Sequence, residues 1–146
     1  MGIYLNRGNK SFKSVLDEEY VDKSQVIAEF NSRINKKSKL VCVSRPRRFG
    51  KSMMAQMLCA YYDKSCDSRE LFDGLNISKD ETFAKYLNKY PVIYLDITWF
   101  VSNCGDIKNI LAYIQDEVIS ELKESFPKAT GDTLPRFIAR VATTYA

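Results

Sequence analysis

The chain has 146 residues, a length that suits one domain better than two. Hydrophobic residues make up 45% and charged residues 27%, which excludes a mainly disordered, collagen-like or coiled-coil chain. The net charge of +4 is unevenly distributed: residues 30–62 contain eight basic residues and no acidic residue, so the rest of the chain carries −4. We therefore expect this basic segment to meet a negatively charged partner.

Several site types and compartments are also excluded. No apolar run approaches the roughly 18 residues of a membrane span, and the first residues lack a signal-peptide pattern. The absence of histidine excludes a Cys/His zinc site and histidine-based catalysis. The four cysteines form no CxxC pair, so we expect reduced thiols in a cytoplasmic protein. Because no span is evident, we expect no membrane partner. Cys42 and Cys59 are expected in the core of the protein.

The first third of the chain is predicted to contain one helix. Residues 1–19 mix polar and aromatic side chains and are expected to form an irregular arm. In residues 20–35, which precede the first strand, apolar residues at helical spacing predict a helix over about 25–34. Ser24 is the expected N-cap of this helix, because a serine hydroxyl can accept a hydrogen bond from the first turn.

Residues 40–62 are predicted to form a strand, a loop and a helix. The strand is the apolar run 40–43, which is typical of a strand buried on both faces, and the helix is Lys51–Tyr62. Residues 90–146 are predicted to contain a second strand, 91–96, and further helices. The other predicted helices span 80–87, 106–123 and 135–145. This order of elements predicts a parallel α/β domain.

The segment 44–52, with the sequence SRPRRFGKS, resembles a phosphate-binding loop. It follows a predicted strand and opens a predicted helix, as a Walker A loop does, although Arg45 stands where the general motif has its first glycine. Successive backbone N–H groups and the positive end of a helix favour a phosphate there. The expected phosphate-binding residues are Arg45, Pro46, Arg47, Arg48, Phe49, Gly50, Lys51 and Ser52.

Two other interpretations of the same segment are open. The basic stretch 33–51 could bind the backbone phosphates of a nucleic acid, a function that can coexist with nucleotide binding. The loop could also be a solvated basic turn that only caps a helix. For the chain as a whole, an inactive truncated remnant of a longer protein is a further alternative.

Four sequence blocks together resemble the bacterial AAA-ATPase-like family, which is similar to archaeal and STAND-type P-loop ATPases. The blocks are YVDKS at 20–24, SRPRRFGKS at 44–52, LFDGLNI at 71–77 and YPVIYLD at 90–96. The resemblance covers about residues 1–125, and arginine is usual in that family at the position of Arg45. It implies a P-loop NTPase-like three-layer α/β fold with a parallel sheet. Residues 1–146 would be its N-terminal part, with the fold incomplete at the C-terminus.

The resemblance also implies ATP and Mg²⁺ as cofactors and assigns roles to individual residues. Lys51 would contact the β- and γ-phosphates, and the Ser52 hydroxyl would lie on the Mg²⁺ side. The segment Tyr20, Val21 and Asp22 would lie near the adenine. Asp96 ends an apolar segment as a Walker B aspartate does, and it could reach the metal through a water molecule.

The acidic half of a hydrolytic site is not evident in this sequence. Hydrolysis requires an acidic group that holds Mg²⁺ and positions water, and no Asp-Glu pair follows an apolar strand. We therefore expect ATP binding without hydrolysis in this chain. Longer members of the family carry a C-terminal PD-(D/E)XK nuclease-like domain. In the intact protein, we therefore expect residues 1–146 to be accompanied by a further C-terminal part of this kind.

Overall fold

The computed structural model describes residues 2–44 and 46–145, and within them the regular structure is helical. The α-helices are α1 (Lys10–Leu16), α2 (Val26–Asn31), α3 (Lys51–Tyr62), α4 (Arg69–Phe72), α5 (Phe83–Tyr86), α6 (Ile97–Asn103), α7 (Ile110–Ser125) and α8 (Leu134–Thr144). Two short 3₁₀ helices lie at Asn76–Lys79 and Ile107–Asn109.

The expected parallel sheet does not form in residues 2–44 and 46–145. These residues are 52% helical and 3% strand. In the described part of the chain, strand pairing is limited to two isolated bridges, an antiparallel one between Leu5 and Ile93 and a parallel one between Asp63 and Tyr90. The prediction of a P-loop NTPase-like three-layer α/β fold with a parallel sheet is therefore wrong for this structure.

The two predicted strands fail for the same physical reason. An apolar run becomes a buried strand only when neighbouring strands satisfy its backbone and cover its side chains. Residues 40–43 form no regular secondary structure, Leu40 is 89% exposed, Cys42 is exposed, and no backbone hydrogen bond joins 40–44 to another described residue. In 91–96, strand pairing with described residues is limited to one bridge at Ile93, with the Val92 carbonyl accepting a hydrogen bond from the Asn6 N–H and the Tyr94 N–H donating one to the Tyr4 carbonyl.

Helix predictions succeed where local signals are strong. The structure confirms α3 with the predicted bounds, and α7 and α8 lie within one to four residues of the predicted helices. The prediction of an irregular arm over residues 1–19 is wrong, because α1 forms there and buries Phe12 completely. Ser24 is not the N-cap of α2; its Oγ accepts a hydrogen bond from the Ile77 N–H at 3.1 Å instead.

The described chain divides into two compact units. The first unit comprises residues 6–92 and contains α1 to α5. Its core is built from buried residues of every one of these helices: Phe12, Ile27, Met57, Ala60, Tyr61, Phe72, Ile77, Phe83 and Leu87. The helix α3 supplies three of these residues and is the central element of the unit.

The second unit combines residues 2–5 with the chain from residue 93 onward, and it contains α6 to α8. Its buried core residues are Tyr4, Leu5, Phe100, Val118, Ile119, Leu122, Ala129 and Phe137. Among the described residues, no helix is long and apolar enough to cross a membrane.

Candidate functional site

The loop before α3 has an alternating backbone conformation. Gly50, the N-cap of α3, has φ 77° and ψ 23°, and Arg48 has φ 68°. Arg47 and Phe49 do not share the positive φ, so the sign of φ changes at each step from 47 to 50. This alternation is the conformation in which successive backbone N–H groups form an anion-binding concavity.

Lys51 and the start of α3 add positive charge to this loop. The Lys51 Nζ donates a hydrogen bond to the carbonyl oxygen of Pro46 at 2.9 Å, so the side chain folds back over the loop. The 12-residue helix α3 places its positive end at Gly50. Ser52 lies in the first turn of α3 and is exposed. Arg45 lies outside the described residues.

A groove of about 670 Å³ runs along α3 from this loop. We call it the α3 groove. It is lined by Glu19, Tyr20, Val21, Lys23, Val26, Val43, Arg48, Phe49, Gly50, Lys51, Met53, Met54 and Met57. Its volume is in the range of pockets that hold small molecules and cofactors. Apolar side chains predominate, and two of the charged groups come from the loop itself.

Tyr20 forms one end of the α3 groove and is fixed there by several contacts. Its hydroxyl donates a hydrogen bond to the Met57 Sδ at 3.4 Å and accepts one from the Lys23 N–H at 3.4 Å. Its ring packs edge-on against Phe12, with 5.7 Å between the ring centroids. Partial burial raises the pKa of the Tyr20 hydroxyl, so the side chain is neutral at physiological pH.

Asp22 lies beside Tyr20 and Val21 in sequence but has a different role. Its Oδ1 accepts a hydrogen bond from the Ser24 N–H and its Oδ2 one from the Asn76 N–H, both at 2.8 Å. Burial tends to raise the pKa of this carboxyl, but the hydrogen bonds and the charge of Lys79 outweigh it and lower the pKa. Both carboxylate oxygens are thus engaged in joining two backbone segments.

Asp96 belongs to the second unit, where it caps a helix. Its Oδ1 accepts hydrogen bonds from the N–H groups of Thr98 and Trp99, in the first turn of α6. No cluster of three or more Cys, Asp or Glu side chains suitable for a metal ion occurs in residues 2–44 and 46–145. A water-mediated contact of Asp96 with a metal stays a prediction.

The structure brings together some of the predicted site residues and adds others. Tyr20 and Val21 share the α3 groove with four residues of the loop, Arg48, Phe49, Gly50 and Lys51. The methionines of α3 and Val26 were not predicted as site residues. Their signal was the helical spacing of apolar residues, which does not separate a core face from a groove wall.

The other described basic residues of the stretch 33–51 do not line this groove. Lys36, Lys37 and Lys39 are exposed and do not line it. Arg33 forms an ion pair with Glu29 on the neighbouring turn. Nucleic-acid binding by this stretch stays a prediction.

Comparison with known proteins assigns the chain to a family. A family model described as a predicted AAA-ATPase matches residues 7–146. The chain belongs to the AAA-ATPase-like family. This confirms the resemblance seen in the sequence blocks. No curated protein and no solved structure matches the chain significantly.

Proposed function

We propose that this AAA-ATPase-like chain binds ATP together with Mg²⁺, with the triphosphate on the loop 45–52 and the nucleoside in the α3 groove. The observation that carries the proposal is that the loop and the α3 groove are continuous. Residues Arg48 to Lys51 belong to the loop and at the same time line the groove. A single ligand with an anionic end and an aromatic end would therefore occupy both.

The loop supports the phosphate end of the proposal. Its alternating φ signs favour a concave array of N–H groups, and the positive end of α3 adds to the attraction. Lys51 folds towards the loop backbone, where its ammonium group would neutralise phosphate charge. Arg48 and Lys51 both border the groove, so the loop contributes two positive charges to its lining.

The residues present also fit the metal that the family suggests. Mg²⁺ is bound by oxygen ligands and usually keeps several water molecules, with the remaining contacts coming from phosphates and one or two protein groups. When bound, it would screen the negative charge of the triphosphate. The exposed hydroxyl of Ser52, one residue after Lys51, is the protein group that we assign to this role.

The test compares Lys51→Ala with Lys39→Ala. Both variants remove one exposed lysine from the same basic stretch, but Lys51 alone borders the groove. We expect Lys51→Ala to raise the Kd for Mg·ATP about tenfold or more, as the loss of a charge-assisted hydrogen bond implies. Lys39→Ala should stay within about twofold. Equal affinities of the two variants, measured by calorimetry, would contradict the proposal.

A further inference from the structure

The chain concentrates its methionines at one place. It contains four, and all three that follow Met1 lie on α3 and line the α3 groove. Met53, Met54 and Met57 are spaced so that they share one face of the helix, over about 6 Å along its axis. Met53 is 38% exposed, Met54 is half-buried and Met57 is 1% exposed. The face therefore extends from solvent into the core.

The three methionine side chains lie between the loop before α3 and Tyr20. The Met53 Sδ lies 3.9 Å from the position that a Cβ on Gly50 would take, so the first thioether adjoins the loop. At the other end, the Met57 Sδ accepts the hydrogen bond of the Tyr20 hydroxyl at 3.4 Å. Met54 lines the groove on the intervening turn of the helix. The methionine face thus bridges the two ends of the groove.

The chemistry of this face suits a flat aromatic group. Methionine side chains are flexible and polarisable, and a thioether sulfur makes favourable contacts with aromatic rings, worth about 0.3–1.5 kcal/mol each. The loop contributes the positive charges of Arg48 and Lys51, and the rest of the lining is mostly apolar, with Glu19 and Lys23 as its other charged residues. Such a division matches a ligand with an anionic tail and a heteroaromatic ring.

We propose that Met53 and Met54, supported from below by the buried Met57, form the surface that binds the base of the nucleotide, a proposal that rests on the proposed function. Because these side chains offer no hydrogen-bond donor, the face holds a heteroaromatic ring by apolar and sulfur contacts rather than by reading its polar edge. Met53, as the most exposed of the three and the one beside Gly50, makes the contact nearest to the phosphates.

The first test observes the methionines directly. The protein is labelled with carbon-13 at its methionine methyl groups and titrated separately with ATP, adenosine and inorganic tripolyphosphate. ATP and adenosine should shift the signals of Met53, Met54 and Met57, while the signal of Met1 stays in place. Tripolyphosphate should compete with ATP but shift these signals less than adenosine does.

The outcomes of this titration distinguish a failure of the base-binding face from a failure of the proposed function. ATP binding without shifts at the three methionines overturns the base-binding face and leaves the proposed function intact. If neither ATP nor tripolyphosphate binds, the proposed function fails. In that case, methionine signals that shift with adenosine would still support a face that binds aromatic rings. If adenosine shifts none of these signals, that face is overturned as well.

The second test uses variants of Met53. Met53→Gln keeps the length of the side chain and a good helix propensity but places an amide where the base would lie. We expect its Kd for ATP to rise about tenfold, with the affinity for tripolyphosphate unchanged, and Met53→Leu to lose less than Met53→Gln. Ile138→Gln on α8 is the matched control, since Ile138 is 42% exposed. Equal losses for ATP and tripolyphosphate would contradict the base-binding role.

Discussion

Gly50 joins the conformation of the loop to the start of α3. Its φ of 77° lies in the left-handed region, which is costly for most residues with a Cβ. Space is not limiting, because a Cβ there would meet just one atom within 4 Å, the Met53 Sδ at 3.9 Å. The requirement for glycine is therefore conformational. Arg48 has a similar φ although it is not a glycine. Backbone strain of this kind is found most often at functional sites.

This reasoning predicts different effects for two substitutions at position 50. Gly50→Ala should destabilise the first unit by about 1 kcal/mol, whereas Gly50→Asn should cost less because asparagine tolerates the left-handed region. Gly74→Ala is the control, since Gly74 lacks a positive φ and a Cβ there meets nothing within 4 Å. Urea unfolding would measure all three. Equal destabilisation by Ala and Asn at position 50 would show that conformation is not the cause.

At the scale of the elements, local signals in the sequence were sufficient for α3, α7 and α8 but not for α1, α6 or the predicted strands. The bounds of α3 followed from the Gly-Lys-Ser signal and the apolar spacing after it, because a helix is stabilised within its own segment. The run 40–43 has the composition of a buried strand, yet a strand depends on partners elsewhere in the chain. The loop of the candidate site was predictable, whereas the methionine side of the groove required the packing of Tyr20 on α3.

Asp22 shows how one side chain can connect two elements. It accepts backbone hydrogen bonds just before α2 and at the first residue of the 3₁₀ helix Asn76–Lys79. Its carboxyl pKa is lowered below the ordinary value of 3.8, so the folded state favours the charged form. The stabilisation is complete above the unfolded-state pKa and is lost as the pH falls through the folded-state pKa.

We therefore expect Asp22→Asn to destabilise the first unit by about 1 kcal/mol at neutral pH. The difference from wild type should shrink as the pH falls below about 4, since the wild-type carboxyl then becomes protonated as well. Asp73→Asn is a suitable control because Asp73 is exposed. Denaturant unfolding at several pH values would measure this. A difference that does not depend on pH would exclude the carboxylate charge as its origin.

At the scale of the whole molecule, the second unit depends on residues from the start of the chain. The Glu121 carboxylate on α7 accepts hydrogen bonds from the N–H groups of Ile3, Tyr4 and Leu5, at 3.1, 3.0 and 2.8 Å. A Cβ on Gly2 would lie 1.8 Å from the Glu121 Oε1. No sequence pattern predicted this contact, because its partners are more than a hundred residues apart and the donors are backbone groups.

Glu121→Ala should leave three N–H groups without this acceptor and destabilise the second unit by about 1–3 kcal/mol. In hydrogen–deuterium exchange, the amides of residues 3–5 should exchange faster, while those of α1 should keep their protection. Glu124→Ala provides a control on the same helix, since Glu124 is exposed. Unchanged exchange of residues 3–5 in Glu121→Ala would mean that the carboxylate does not hold this segment.

The contact between Leu5 and Glu121 has a consequence for the order of events during synthesis. The two residues are 116 positions apart, so a ribosome adding about 5–20 residues per second makes them roughly 6–23 s apart. Residues 6–92 are completed within that interval, and the first unit can fold while Gly2 to Leu5 still lack their acceptor. The second unit then closes by a contact between distant positions, which is intrinsically slower than closure between neighbours.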